Sequence, residues 1–332
     1  MRLPVLISKA LVPVLATGLL AACDEPADDG TVRVVTTVSP ITNIVQNVGG
    51  ELVTVTGIVP EGTNSHTFEP APSDARAMAE ADVVFVNGLN LEEPTRRLAE
   101  ANVADGVEIV ELGSMTIDPD EYIFDFSFPR EGGVPNPHLW TNPVYAKRYA
   151  EIVKDTLSQL DPDAADLYEQ NYEAFAARLD ELDRAVREAT ETVPPEDRKL
   201  LTYHDSFPYF AREYGWDVIG AIQPSDFAEP TAQDVANLID QVRAEQVPAI
   251  FGSEVFPSPV LEQIAAEAGA EYVSDLRDDD LPGENGDPDH SYVGLMVFDL
   301  RTFVSALGGD VAAFDGLKVE NLQPGVTVEY RS

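Results

Sequence analysis

Short β-branched runs alternate with amphipathic stretches along almost the whole chain, and this alternation restricts the possible folds more than any other feature. Residues 32–38, 52–59, 83–86 and 108–112 read as strands in the first half; 199–203, 217–221, 249–251 and 271–273 read as strands in the second. Helical periods separate them, at 41–48, 73–80, 96–104 and 142–160, then at 207–214, 234–245, 258–268 and 292–307. Strands that alternate with helices need crossover connections, which give parallel sheets. Between the halves, residues 163–192 carry Tyr168, Tyr172, Phe175, Leu179, Leu182 and Val186 at helical spacing. That narrow stripe predicts a single helix of about 45 Å lying along packed neighbours. Pro194-Pro195 ends it. The expected fold is α/β, with two lobes, each a four-stranded mainly parallel sheet flanked by helices, joined by one long rigid helix. The lobes take residues 31–162 and 193–332, the helix takes 163–192, and residues 326–330 suggest one more short strand.

The N-terminus reads as an address. Residues 1–22 hold Arg2, Lys9 and a short apolar run, too short to span a membrane as a mature helix. The run ends Leu20-Ala21-Ala22-Cys23, at the only cysteine of the chain. This string looks like a bacterial lipobox, which implies cleavage before Cys23 and acylation of its sulfur. Residues 23–30 are acidic and small and suit a tether. The expected location is the periplasm, with the protein anchored by lipid to the inner membrane.

A length of 332 residues fits about two domains. One cysteine excludes disulfide frameworks and Cys-rich metal sites. A net charge of −38 argues against nucleic acid, which needs surface Lys and Arg. No phosphate-cradling Gly-rich motif is present.

The chain has four histidines, His66, His138, His204 and His290. The first three each follow the carboxyl end of a predicted strand, and so do the carboxylates Asp275 and Asp278–Asp280. Ligands of open parallel sheets bind at those ends. Three imidazoles and one aspartate would fill a tetrahedral zinc shell at roughly 2.0–2.2 Å. The wide spacing, 72 and 66 residues between histidines, is no local zinc motif.

At these residues the chain resembles the periplasmic substrate-binding proteins of zinc and manganese ABC importers, the metal-binding cluster family. The segment VSPITNIVQNVGG with GTNSHTFEP looks like the family's first half. NPHLWTNP resembles its second ligand segment, with Asn136 where Asp is usual, and TYHDSFPYF its third. The arrangement is most similar to zinc-binding members of the AztC type, which lack a long His-rich loop; here 113–137 has no histidine. The resemblance implies His66, His138 and His204 as ligands, with a fourth from an Asp-x-Leu segment. Asp279 matches that segment directly; Asp275 is the fallback, and His290 is a further fallback better suited to a helix start. Glu69 and Asp205, beside the ligands, are candidates to orient imidazole N–H groups.

The expected function is capture of Zn²⁺ outside the cytoplasm and delivery to an ABC permease and its ATPase. The expected protein is a monomer and not an enzyme, with a periplasmic zinc chaperone as donor. The alternatives are a manganese or iron importer component, a metal-stabilised adhesin and, last, a zinc hydrolase. Affinity is expected to fall as pH drops toward the ordinary histidine value of about 6.5. The loops 113–137 and 274–290 are expected to move, because they are long and lack pattern.

Overall fold

Val83–Val86 is buried along its whole length, as a strand covered on both faces by crossover helices must be. Among the described residues it is the third of nine strands: β1 Val32–Thr36, β2 Val53–Gly57, β3 Val83–Val86, β4 Glu108–Glu111, β5 Lys199–Thr202, β6 Asp217–Ala221, β7 Ala249–Ser253, β8 Glu271–Leu276 and β9 Val328–Tyr330. The structure, a computed structural model, describes residues 30–223, 230–253, 255, 259–323, 326 and 328–330, without the side chains of Asp275 and Tyr330. The export signal, Cys23 and the fallback ligand Asp275 therefore lie outside the described residues or side chains.

Every strand pairing is parallel. The first sheet has the order β4-β3-β1-β2-β9 and the second β6-β5-β7-β8. The first sheet thus has five strands where four were expected. The fifth comes from the far end of the chain, where Val328 pairs with Val55 and Tyr330 with Gly57.

The central helix runs from Ala165 to Thr192, preceded by a 3-10 turn at Pro162–Ala164. Its predicted stripe is buried at Tyr168, Phe175, Leu179, Leu182 and Val186, and Tyr172 packs against the core as a partly buried neighbour. The helix lies against Ser39–Gly49, Pro143–Leu160 and Tyr292–Ala306. One continuous core joins residues of both sheets, such as Val34, Phe85 and Phe251, with helix residues such as Phe303. Phe303 packs edge-on against Phe207 and Phe251, with centroids 4.9 and 5.1 Å away. Such pairs add to simple burial.

Local signals set the helix starts that matter for the site. Asn142 caps Pro143–Leu160, its side chain accepting from Val144 N at 2.9 Å with Pro143 in the first turn. Ser291 caps Tyr292–Ala306 by accepting from Gly294 N at 2.9 Å. A Cβ at Gly294 would stand 1.9 Å from the Asp289 carbonyl oxygen, so only glycine permits this approach. No helix among the described residues is long and apolar enough to cross a membrane.

Candidate metal centre

The parallel sheets point the carboxyl ends of β2, β4, β5 and β8 toward connecting segments that carry the candidate residues. His66 follows β2, His138 follows β4, His204 comes two residues after β5, and Asp279 three residues after β8. The chain turns sharply at each. Asn64 Oδ1 accepts from His66 N at 2.9 Å, and Thr202 Oγ1 donates to the His204 carbonyl at 2.6 Å.

The three imidazoles converge. Nε2 of His66 lies 3.2 Å from Nε2 of His138 and 3.2 Å from Nε2 of His204; the His138–His204 separation is 2.9 Å. Among the described residues these three form the only group of His, Cys, Asp or Glu ligand atoms lying within 4.8 Å of one another. A tetrahedral ion with bonds of about 2.05 Å would hold two nitrogens roughly 3.3 Å apart. The observed triangle is close to that size.

Hydrogen bonds set the tautomer of two of these rings. His138 Nδ1 donates to Asn136 Oδ1 at 2.8 Å, and His204 Nδ1 donates to Gln223 Oε1 at 2.7 Å. The Asn136 amide is itself oriented. Its Nδ2 donates to the Asp205 carbonyl at 2.7 Å and to Asp125 Oδ2 at 3.1 Å, and its Oδ1 also accepts from His138 N at 3.0 Å. With the protons on Nδ1, the two Nε2 atoms face each other as lone pairs, an arrangement that is repulsive unless a cation lies between them. Burial, with the charge of His204, holds His66 well below the ordinary histidine range. Burial does the same for His138, aided by His204 and His66. Both rings are therefore neutral near pH 7, the form in which an imidazole can coordinate an ion.

Asp279 stands outside the 4.8 Å group but beside it. Its carboxylate is buried, and Oδ2 accepts from Ser65 Oγ at 2.5 Å, one residue before His66. Its Oδ1 is buried without a hydrogen-bond partner. Burial and Asp278 push it up to about 7, while His204 pulls it down. A buried carboxylate with one free oxygen is costly unless something cationic meets it.

Other candidates sit elsewhere. His290 is buried away from the triangle, with Nδ1 donating to the Pro282 carbonyl at 3.2 Å and Nε2 lying 3.7 Å from Glu61 Oε1. It comes just before Ser291, and it is Ser291 that caps the helix. Glu69 is exposed. Asp205 is buried, but its Oδ2 accepts from Ser127 N at 3.0 Å and it packs against Asp125. Burial and Asp205 push Asp125 up to about 9, so the pair retains a proton. The imidazole-orienting roles expected of Glu69 and Asp205 thus belong, at His138 and His204, to the amides Asn136 and Gln223. Asn136 was visible in the sequence two residues before His138. Gln223 was not, because it reaches His204 from the end of the neighbouring strand β6, 19 residues later.

The 113–137 segment is less irregular than expected. It contains a helical turn and two 3-10 turns, too short to show a period. Tyr209 Oη donates to the Asn136 carbonyl and accepts from Ile123 N, and Ser127 Oγ donates to the Gln223 carbonyl at 2.7 Å. The Phe128 ring lies 5.6 Å from His66 and 5.8 Å from His138. The segment leaves the first sheet after β4 and is fastened to Tyr209 and Gln223 of the second half, with Phe128 beside the histidines.

Two parallel-sheet halves that bring three imidazoles within 3.2 Å of one another, with a buried carboxylate beside them, form a site suited to a metal ion. The sequence profile described as "ZnuA: Zinc-uptake complex component A periplasmic" matches residues 34–306, and the chain belongs to that family. It is 31% identical to the manganese-binding lipoprotein MntA of Halalkalibacterium halodurans, over 90% of this chain and 96% of that one. It is 30% identical to the iron-binding protein YfeA of Yersinia pestis, over 90% and 94%. The periplasmic zinc-binding protein TroA of Treponema pallidum superposes with a TM-score of 0.76 at 28% identity, covering 84% of this chain and 99% of that one. A manganese-bound periplasmic metal-binding protein of Candidatus Liberibacter asiaticus gives 0.74 at 27% identity, covering 83% and 100%. The chain is a metal-binding component of an uptake system, and its relatives are named for different metals.

Proposed function

We propose that the protein captures one Zn²⁺ outside the cytoplasm and delivers it to an ABC permease driven by its ATPase. In this reading His66, His138, His204 and Asp279 are the ligands. The supporting observation is the triangle of imidazole nitrogens 2.9–3.2 Å apart, two of them lone pairs by their hydrogen bonding. Three nitrogens and one oxygen suit a borderline ion such as Zn²⁺, whereas Mn²⁺ favours more oxygen. Residues 31–162, joined by the strand Val328–Tyr330, serve as one lobe and the rest of 193–332 as the other, with 163–192 between them. Cleavage after residue 22 and acylation of Cys23 would hold the protein at the inner membrane on the periplasmic side. A periplasmic chaperone is a candidate donor, and the protein acts as a monomeric carrier and not as an enzyme.

A second reading, import of manganese or iron, is favoured by the names of the relatives at 31% and 30% identity. Affinity ranking cannot separate the two, because most nitrogen sites bind Zn²⁺ more tightly than Mn²⁺. Uptake can. Deleting the gene should reduce accumulation of radiolabelled zinc in metal-starved cells and leave manganese and iron accumulation unchanged. Loss of manganese or iron uptake with normal zinc uptake would replace the zinc assignment.

A further inference from the structure

The three histidines are not equally enclosed. His138 and His204 are 0% and 2% exposed, while His66 is only partly buried. A cavity of about 340 Å³ lies against His66 and includes neither of the other two rings. Its walls come from Asn90 after β3 and from Ser127, Phe128, Gly132 and Val134 of the overlying segment. That volume holds about ten waters, enough for a divalent ion with its hydration shell. Other groups around the rings are packed or bonded in place. Trp140 packs edge-on against His138 at 5.1 Å, and the 278–280 segment is bonded to Ser39, Gly62 and Ser65.

We propose that the ion reaches and leaves the imidazoles through this vestibule, so that His66 is the first ligand it meets and the last it loses. The inference rests on the reading of the three histidines as the ion site. It means that the lobes need not separate for exchange. An incoming ion sheds water stepwise, with His66 replacing one water while the rest of the shell still occupies the cavity. His138 and His204, held by Asn136 and Gln223, then complete the exchange without moving.

A path sets rates, not end states, so narrowing it should slow binding and release equally. Gly132 suits the test, because a Cβ there meets nothing within 4 Å and its backbone is not in the left-handed region. Gly132→Phe and Val134→Phe, singly and together, would be compared with the parent protein by stopped flow using Zn²⁺ alone. Tryptophan emission reports binding, and chelator chase reports release. The expected result is a fall of both rate constants by the same factor, about tenfold in the double variant, with Kd unchanged. Rates equal to the parent in all three variants would overturn the vestibule, and so would a changed Kd with an unchanged association rate. Failure of the site itself reads differently, as Zn²⁺ binding that survives His138→Ala.

Discussion

The indole N–H of Trp140 donates to the backbone carbonyl of Asp278 at 2.9 Å, while the same ring lies edge-on 5.1 Å from the His138 imidazole. One side chain therefore touches a histidine of the triangle and ties down the residue next to Asp279. The Trp140 carbonyl in turn accepts from Tyr292 Oη at 2.6 Å, which fixes the backbone that carries the ring. Trp140→Phe keeps most of the packing and removes the N–H. The expected result is a Zn²⁺ affinity about 3- to 10-fold weaker, the equivalent of one hydrogen bond of about 1 kcal/mol. In an Asp279→Ala background the same substitution should change affinity little, because the residue it positions is gone. Chelator-competition titration of the four proteins of this cycle measures the coupling.

Asn136 and Gln223 hold the Nδ1 protons of His138 and His204. Asn136→Ala and Gln223→Ala free each ring to adopt the other tautomer and to rotate. Each variant should lose about 10- to 100-fold in Zn²⁺ affinity. Asn136→Asp retains an acceptor facing Nδ1 and should lose less, although it places a third carboxylate beside Asp125 and Asp205. The readout is again competition with a chelator of known affinity, with thermal unfolding of the metal-free proteins as the control for folding.

Glu92, which is not among the proposed ligands, supplies a second pH dependence. It is buried, accepts from Thr37 Oγ1 at 2.8 Å and Asn87 N at 2.6 Å, and is pushed by burial up to about 7 despite those bonds. In the unfolded chain it titrates near 4.5. The folded state thus holds this proton more tightly, and the stability gained from it is complete below pH 4.5 and lost as pH rises through 7. The slope from this group alone is on the order of 1 kcal/mol per pH unit inside that window. Glu92→Gln cannot titrate, so its stability relative to the parent should rise between pH 5 and 7 and level off above. Denaturant unfolding of the metal-free proteins across this range gives the difference. A constant difference would mean that Glu92 is ionised throughout.

The layout of strands and helices was legible because β-branched runs such as Val83–Val86 and the stripe from Tyr168 to Val186 carry their period on their face. The histidines were legible for the same reason. Once the strands are placed, His66, His138 and His204 fall beyond their carboxyl ends whatever lies between. Contacts that depend on pairing across long separations left no local trace. Nothing near Val328 announces that its partner is Val55 in the other half, and nothing near Gln223 announces that it faces His204. Carboxylates beside the ligands looked like natural imidazole partners, yet Glu69 faces solvent and Asp205 is taken by Ser127 and Asp125. In a buried site that already holds carboxylates, amides perform that task without adding charge.

Location of the ion itself tests the account most directly. Crystals of the mature protein grown with one equivalent of Zn²⁺ would be measured at wavelengths on either side of the zinc absorption edge. One anomalous peak is expected, about 2.0–2.2 Å from Nε2 of His66, His138 and His204 together, with an Asp279 oxygen completing the shell. A peak bonded to fewer than two of those imidazoles, or strong zinc elsewhere with the triangle empty, would contradict it.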